Sequence, residues 1–135
     1  MKTYTIIPVV LFLLSSCNLK KEQEITVHKM KYAEFVKTDT MDYDFGVIKE
    51  VDGVVNHDFS FFNTNDSYIY ISVVPVVCPC LQVKYPKGKI ETGERFTISV
   101  SYNPENRNGY FNRHIMIVLN NGEYYINPTI KGIVE

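Results

Sequence analysis

The chain has 135 residues, with 14 Lys and Arg against 15 Asp and Glu, three Cys and no Trp. That length suits one domain. A net charge of −1 supplies no basic field for nucleic acid, and no block of like charge marks an interaction tail.

Lys2 gives a short positive start, and Ile6 to Leu14 is apolar apart from Pro8. A run this short cannot span a bilayer, which takes about 20 apolar residues. It reads as the core of a signal peptide covering residues 1–16. Leu14-Ser15-Ser16-Cys17 follows at once and resembles a bacterial lipobox, in which an aliphatic residue and two small ones precede the lipid-bearing cysteine. Cys17 is therefore the expected lipid attachment, and more than one acyl chain gives stable anchoring. The expected location is the cell envelope, facing the periplasm. Asn18 rather than Asp follows the cysteine, which favours the outer membrane over the inner.

Residues 17–41 are polar with scattered apolar positions and read as a membrane-tether linker. Ile25 and Val27 suit the start of a strand, and Met30 to Val36 a weak helical turn. The end of this segment is free to pack on the domain. His28 reads as a solvated linker histidine.

Regular structure is expected from residue 42 to 135. Tyr43 to Ile48 reads as a strand with Gly46 at a bulge. After an Asp52-Gly53 turn, Val55, His57, Phe59 and Phe61 alternate with polar residues and share one face. Residues 63–67 form a turn cluster, and Ile69, Ile71 and Val73 alternate again. Val73 to Leu81 is an apolar β-type run ending in Cys78-Pro79-Cys80. Phe96, Ile98, Val100 and Tyr102 alternate strictly. Tyr110 to Leu119 follows, with Phe111, Ile115, Ile117 and Leu119 inward. Asn121-Gly122 suits a hairpin turn with positive φ. Tyr124 to Val134 closes the chain, and Pro128 implies an edge strand or a bulge. Short alternating strands separated by turns indicate an all-β fold, an antiparallel Ig-like β-sandwich of about seven strands.

Several of these pieces occur in a recognisable order. They are Asp44-Phe45-Gly46-Val47-Ile48, His57 to Thr64, Cys78-Pro79-Cys80, Gly93-Glu94, Tyr102-Asn103-Pro104, Gly109-Tyr110-Phe111 and Ile130-Lys131-Gly132. Together they resemble an uncharacterised bacterial family of Ig-like domains, often carried on lipoproteins and similar in fold to the Hydin (ASH, major-sperm-protein-like) sandwich. The resemblance covers roughly residues 43–134 and implies a non-enzymatic role. The family's usual motif is Ser-Cys-Gly-Cys-Thr; here Val77, Pro79 and Leu81 replace its serine, glycine and threonine.

No nucleophile elbow or phosphate-cradling glycine loop is present. His57 and Asp58 point to opposite faces of a strand, and the three histidines lack metal-ligand spacing. Tyr68, Tyr70, Tyr110 and Tyr125 fall on outer faces, either as a contact surface or because tyrosine suits strands. With Cys17 lipidated, Cys78 and Cys80 remain as a pair in an oxidising compartment. In an extended strand their Cα atoms lie ~6.6 Å apart, so a bridge needs a pinch at Pro79. The pair reads as a disulfide, a redox dithiol or a soft-metal site; two thiolates suit copper(I). No cofactor or catalytic residue is expected. The leading expectation is a lipid-anchored, non-enzymatic binding or scaffolding domain with an unidentified protein partner. The alternative is a periplasmic thiol-redox or copper(I)-handling protein using Cys78 and Cys80.

Overall fold

The computed structural model describes residues 29–135. Cys17, the expected signal peptide, the start of the linker and His28 lie outside them. The described chain forms eleven short strands: β1 (Lys31–Tyr32), β2 (Val36–Thr38), β3 (Asp42–Ile48), β4 (Val55–Asn63), β5 (Ile71–Val73), β6 (Leu81–Lys84), β7 (Arg95–Tyr102), β8 (Gly109–His114), β9 (Ile117–Leu119), β10 (Tyr124–Ile126) and β11 (Thr129–Val134). One layer is ordered β2-β4-β7-β6. The other has two parts, β3-β11-β8 and β1-β10-β9-β5. The parts run into each other, because β8 leads into β9 and β10 into β11. A hydrogen bond from Ile115 N–H to Pro128 C=O spans the break.

The inward faces follow the alternation of the sequence. Phe59, Phe61, Ile98, Val100, Tyr102, Ile117, Leu119, Ile126 and Ile130 are fully buried. An aromatic row runs between the layers. Tyr43 of β3 stacks on His57 of β4 at 3.6 Å, His57 meets Phe59 edge-on, and Phe61 stacks on Phe96. Phe111 stacks on Tyr102 with ring centroids 4.0 Å apart. Its ring leans over Gly132, its cross-strand neighbour. A Cβ on Gly132 would stand 2.8 Å from the Phe111 ring and 2.9 Å from the Gly46 carbonyl oxygen. Only a glycine lets these groups approach so closely.

Four expectations are revised. The sheets are not wholly antiparallel: β3 pairs parallel with β11, and β1 with β10. Residues 31–38, read as the end of a linker, supply β1 and β2, with Ala33 and Val36 buried. Segments this short carry too little pattern to be legible. Pro128 sits at the break between β10 and β11, and β11 is a central strand flanked by β3 and β8. Last, a register shift between Ile71 and Val73 turns Val73 outward, 48% exposed, and Val74 inward.

Asn63 is the main polar residue of the core, at 0% exposure. Its Nδ2 donates to the carbonyls of Ser67, Ile90 and Glu91, and its Oδ1 accepts from Asn65 N–H. A buried amide is tolerated because its bonds are made. It ties two loops together at the end of the sandwich where β1 enters. The sequence showed it only as part of a turn cluster.

Two outcomes are expected. Gly132→Ala lowers unfolding stability by about 1–3 kcal/mol through overpacking against Phe111, measured by urea titration. His57 adds a pH dependence. Burial holds its imidazole below the ordinary 6.5, with Asp58 pulling weakly the other way. The fold therefore prefers the neutral ring. Its contribution is present above 6.5 and is lost as pH falls through the lower folded value. Urea midpoints of the wild type should fall on that acid side more steeply than those of His57→Phe.

Candidate functional site

The chain leaves β5 at its bulge and crosses to the other layer through Val74-Pro75-Val76-Val77-Cys78-Pro79-Cys80. Val74 anchors this crossing in the core. No hydrogen bond joins the crossing to β8. Val76 and Val77 then face solvent, at 41% and 97% exposure. The run read from sequence as an apolar strand is thus mainly an exposed connection. Pro75 removes one ladder donor, and the β5 bulge has already turned the chain away from the sheet.

Cys78 and Cys80 are joined by a disulfide, with Cα atoms 5.1 Å apart. The separation is shorter than an extended strand gives, as a pinch at Pro79 requires. The pinch is a β-turn from Cys78 to Leu81: Leu81 N–H donates to Cys78 C=O at 3.1 Å. Pro79 occupies the second position, where its fixed φ is pre-set for a turn. Cys80 N–H points at Cys78 Sγ at 3.3 Å, and Asn103 N–H donates to Cys80 C=O at 2.8 Å. Cys80 is buried at 3% and belongs to the core, while Cys78 is half-buried. The bridge therefore fixes the shape of the turn, and the Asn103–Cys80 backbone bond ties the start of β6 to the end of β7.

Three connections meet at this end: the β3–β4 loop, the cysteine turn and the β7–β8 loop. Val54, Pro79, Cys80, Gln82, Ser101 and Asn103 line a shallow recess between them. Glu50 Oε1 accepts from Asn106 N–H, linking the outer two loops. Val51 and Val54 are 90% and 52% exposed. Val54 shares the recess with Pro79 and Cys80, while Val51, Val76 and Val77 are bare apolar side chains on the connections that lead to it. Sequence reasoning missed Val51 and Val54, because single valines beside a turn look like strand ends.

The recess lining contains no titratable side chain. Among the described residues, no group of three or more His, Cys, Asp and Glu is placed to hold a metal ion. While bridged, the two sulfurs offer no thiolate to copper(I). His57 is inside the sandwich, whereas His114 is at the surface with Nδ1 2.8 Å from Thr129 Oγ1. The four outer tyrosines occupy separate neighbourhoods. Tyr68 lies under Lys89, Tyr125 meets Tyr32 edge-on, Tyr70 N–H bonds Asn120, and Tyr110 pairs with Ile133.

Residues 36–134 match the family model described as "Protein of unknown function (DUF1573)", and the chain belongs to that family. No curated protein matches the chain. Among solved structures, the VesB protease of Vibrio cholerae is similar over 74% of this chain and 32% of its own, at 13% identity and TM-score 0.63. A protein of unknown function from Porphyromonas gingivalis W83 is similar over 82% of this chain and 50% of its own, at 13% identity and TM-score 0.60. The ASH/PapD-like domain 7 of human CEP192 is similar over 75% of this chain and 85% of its own, at 9% identity and TM-score 0.57. The chain thus spans half or less of the first two structures. At these identities the likeness concerns the fold, an Ig-like sandwich of the PapD/ASH type.

A three-residue loop restricts the unfolded chain little, so reducing the bridge should cost at most about 2 kcal/mol of global stability. Its effect should be local. Hydrogen exchange at Leu81 and Asn103 is expected to quicken on reduction while β4 and the middle of β7 stay protected. Equal loss of protection throughout would contradict this.

Proposed function

We propose that this protein is a lipid-anchored envelope protein whose Ig-like domain binds a protein partner, without catalysis, through the end that carries Cys78 and Cys80. Cys17 is the anchor in this reading, and the domain faces the periplasm from the outer membrane. The observation that carries it is the exposure of Val51, Val54, Val76 and Val77 on the connections at this end, with Val54 lining the recess beside a pinned turn. Exposed apolar side chains grouped on a rigid base mark contact surfaces more often than isolated ones do.

The direction of the chain supports this choice of end. β1 pairs with β10 beside the Asn120–Gly122 turn, at the opposite end from the cysteine turn. A tether entering there holds the Cys78–Cys80 end away from the membrane, where a partner can reach it. The same bridge sustains a second reading, thiol-redox or copper(I) handling. Cys78, half-buried beside the exposed Pro79, is the sulfur an incoming thiol would meet first.

Metabolic labelling with radioactive palmitate tests the anchor: label is expected on the wild type and none on Cys17→Ala. A photo-crosslinking residue in place of Val77 tests the binding end. It should capture a discrete protein, while the same residue in place of Asp58, on the outer face of β4, should capture none. Equal capture at both positions, or none at Val77, defeats the proposal. Copper(I) binding by the reduced protein, lost in Cys78→Ser, would favour the second reading.

A further inference from the structure

The sheet β3-β11-β8 ends on both sides in unpaired strands, and the two edges differ. β3 is guarded. It carries a bulge at Gly46, where φ is +68°, and Asp44 Oδ1 caps Gly46 N–H at 2.8 Å. Such bulges block the addition of another strand. β8 has no such device. It pairs with β11 over six residues without a register shift, and it contains no proline. Among the described residues, no strand pairs with its outer side. The other edges are shorter: β1 has two residues, β2 three, β5 three and β6 four.

The side chains of β8 give this edge a chemical preference. Phe111 and Arg113 face inward, and Tyr110, Asn112 and His114 face outward. The Nε of Arg113 is buried and has no hydrogen-bond partner. Guanidinium is always charged, and a buried donor left unpaired costs free energy. β8 contains no carboxylate of its own. On the outer face, Tyr110, Ile133 and Val47 form one cross-strand row at 67%, 44% and 59% exposure. A strand added beside β8 would extend this row.

We propose that β8 is a strand-addition site for an extended polypeptide of a partner protein, carrying an acidic residue opposite Arg113 and an apolar residue three positions later opposite Tyr110. The spacing follows from antiparallel pairing, in which opposite residues share a face and the partner chain runs from Arg113 towards Tyr110. Backbone bonds to the free edge supply sequence-independent affinity, and the carboxylate–guanidinium pair supplies selection. A second copy of this chain fits less well. Pairing two β8 strands puts two unpartnered Arg113 side chains on one side of one ladder with no carboxylate between them. The site is separate from the Cys78–Cys80 end and stands without it.

Phage-displayed random dodecapeptides, panned on the full-length protein in detergent, test this. Selected peptides should share Asp or Glu three residues before an apolar residue. In fluorescein-labelled form they should bind the wild type, slow amide exchange at residues 109–114, and lose at least about tenfold in affinity on Arg113→Gln. Arg113→Lys should fall between the two, and Tyr110→Ser, at an exposed position, should weaken binding with the fold intact. Melting curves of each variant report folding independently. Three results overturn the proposal: peptides without this spacing, affinity unchanged by both Arg113→Gln and Tyr110→Ser, or protection elsewhere than β8. A dimer formed without peptide, with residues 109–114 protected, assigns the edge to a second copy and also overturns it.

Discussion

Phe111 lies between the Tyr102 ring and the bare backbone of Gly132, and this contact sets how the two layers meet. Tyr102 belongs to one layer, and Phe111 and Gly132 to the other. The ring can lie flat only because residue 132 has no Cβ. The Gly46 carbonyl also closes on that position, which fits the bulge that bends β3 around β11. One small residue thus fixes the end of β7, the start of β8 and the path of β3. The loop that carries Val51 and Val54 springs from β3, and the cysteine turn is bonded to the end of β7 through Asn103.

How much of this was legible depends on how each residue signals its place. β4 and β7 were plain, because a strand with Val55, Phe59 and Phe61, or with Phe96, Ile98, Val100 and Tyr102, alternating with polar residues has only one sensible face inward. Gly46 as a bulge and Asn121-Gly122 at positive φ were also readable, since few residues adopt those conformations. β1 and β2 were not, because two or three residues make no period. The parallel pairing of β3 with β11 was hidden for a different reason: pairing direction is set by the path of the chain between layers, which leaves no local mark. At the candidate site, the pinch at Pro79 was legible from the spacing of the cysteines. The exposure of Val73, Val76 and Val77 was not, because an apolar run looks the same whether the sheet takes it up or a bulge sheds it. Arg113 gave no signal at all. An unpaired guanidinium becomes visible only when its neighbours are in place.

The two surfaces drawn from the structure differ in kind. The Cys78–Cys80 end is apolar, held by a covalent bridge and a β-turn, and set opposite the point where the chain enters the sandwich. It suits recognition by shape. The β8 edge offers backbone groups and the half-buried Arg113, whose Nε lacks a partner, and suits recognition of an extended segment. The first feature is rigid and the second adaptable, and one small sandwich carries both. The disulfide does little for the domain as a whole, because its loop is so short. Its consequence is local: it holds the crossing from β5 to β6 in one shape beneath exposed valines.

That account stands on the bridge being closed in the working protein. Protein recovered from its native cells, alkylated before and after reduction and then analysed by mass spectrometry, reports this directly. Cys78 and Cys80 should take up alkylating reagent only after reduction and be found linked in one peptide. Full alkylation of both cysteines without reduction would contradict it and turn attention to a dithiol at the same end.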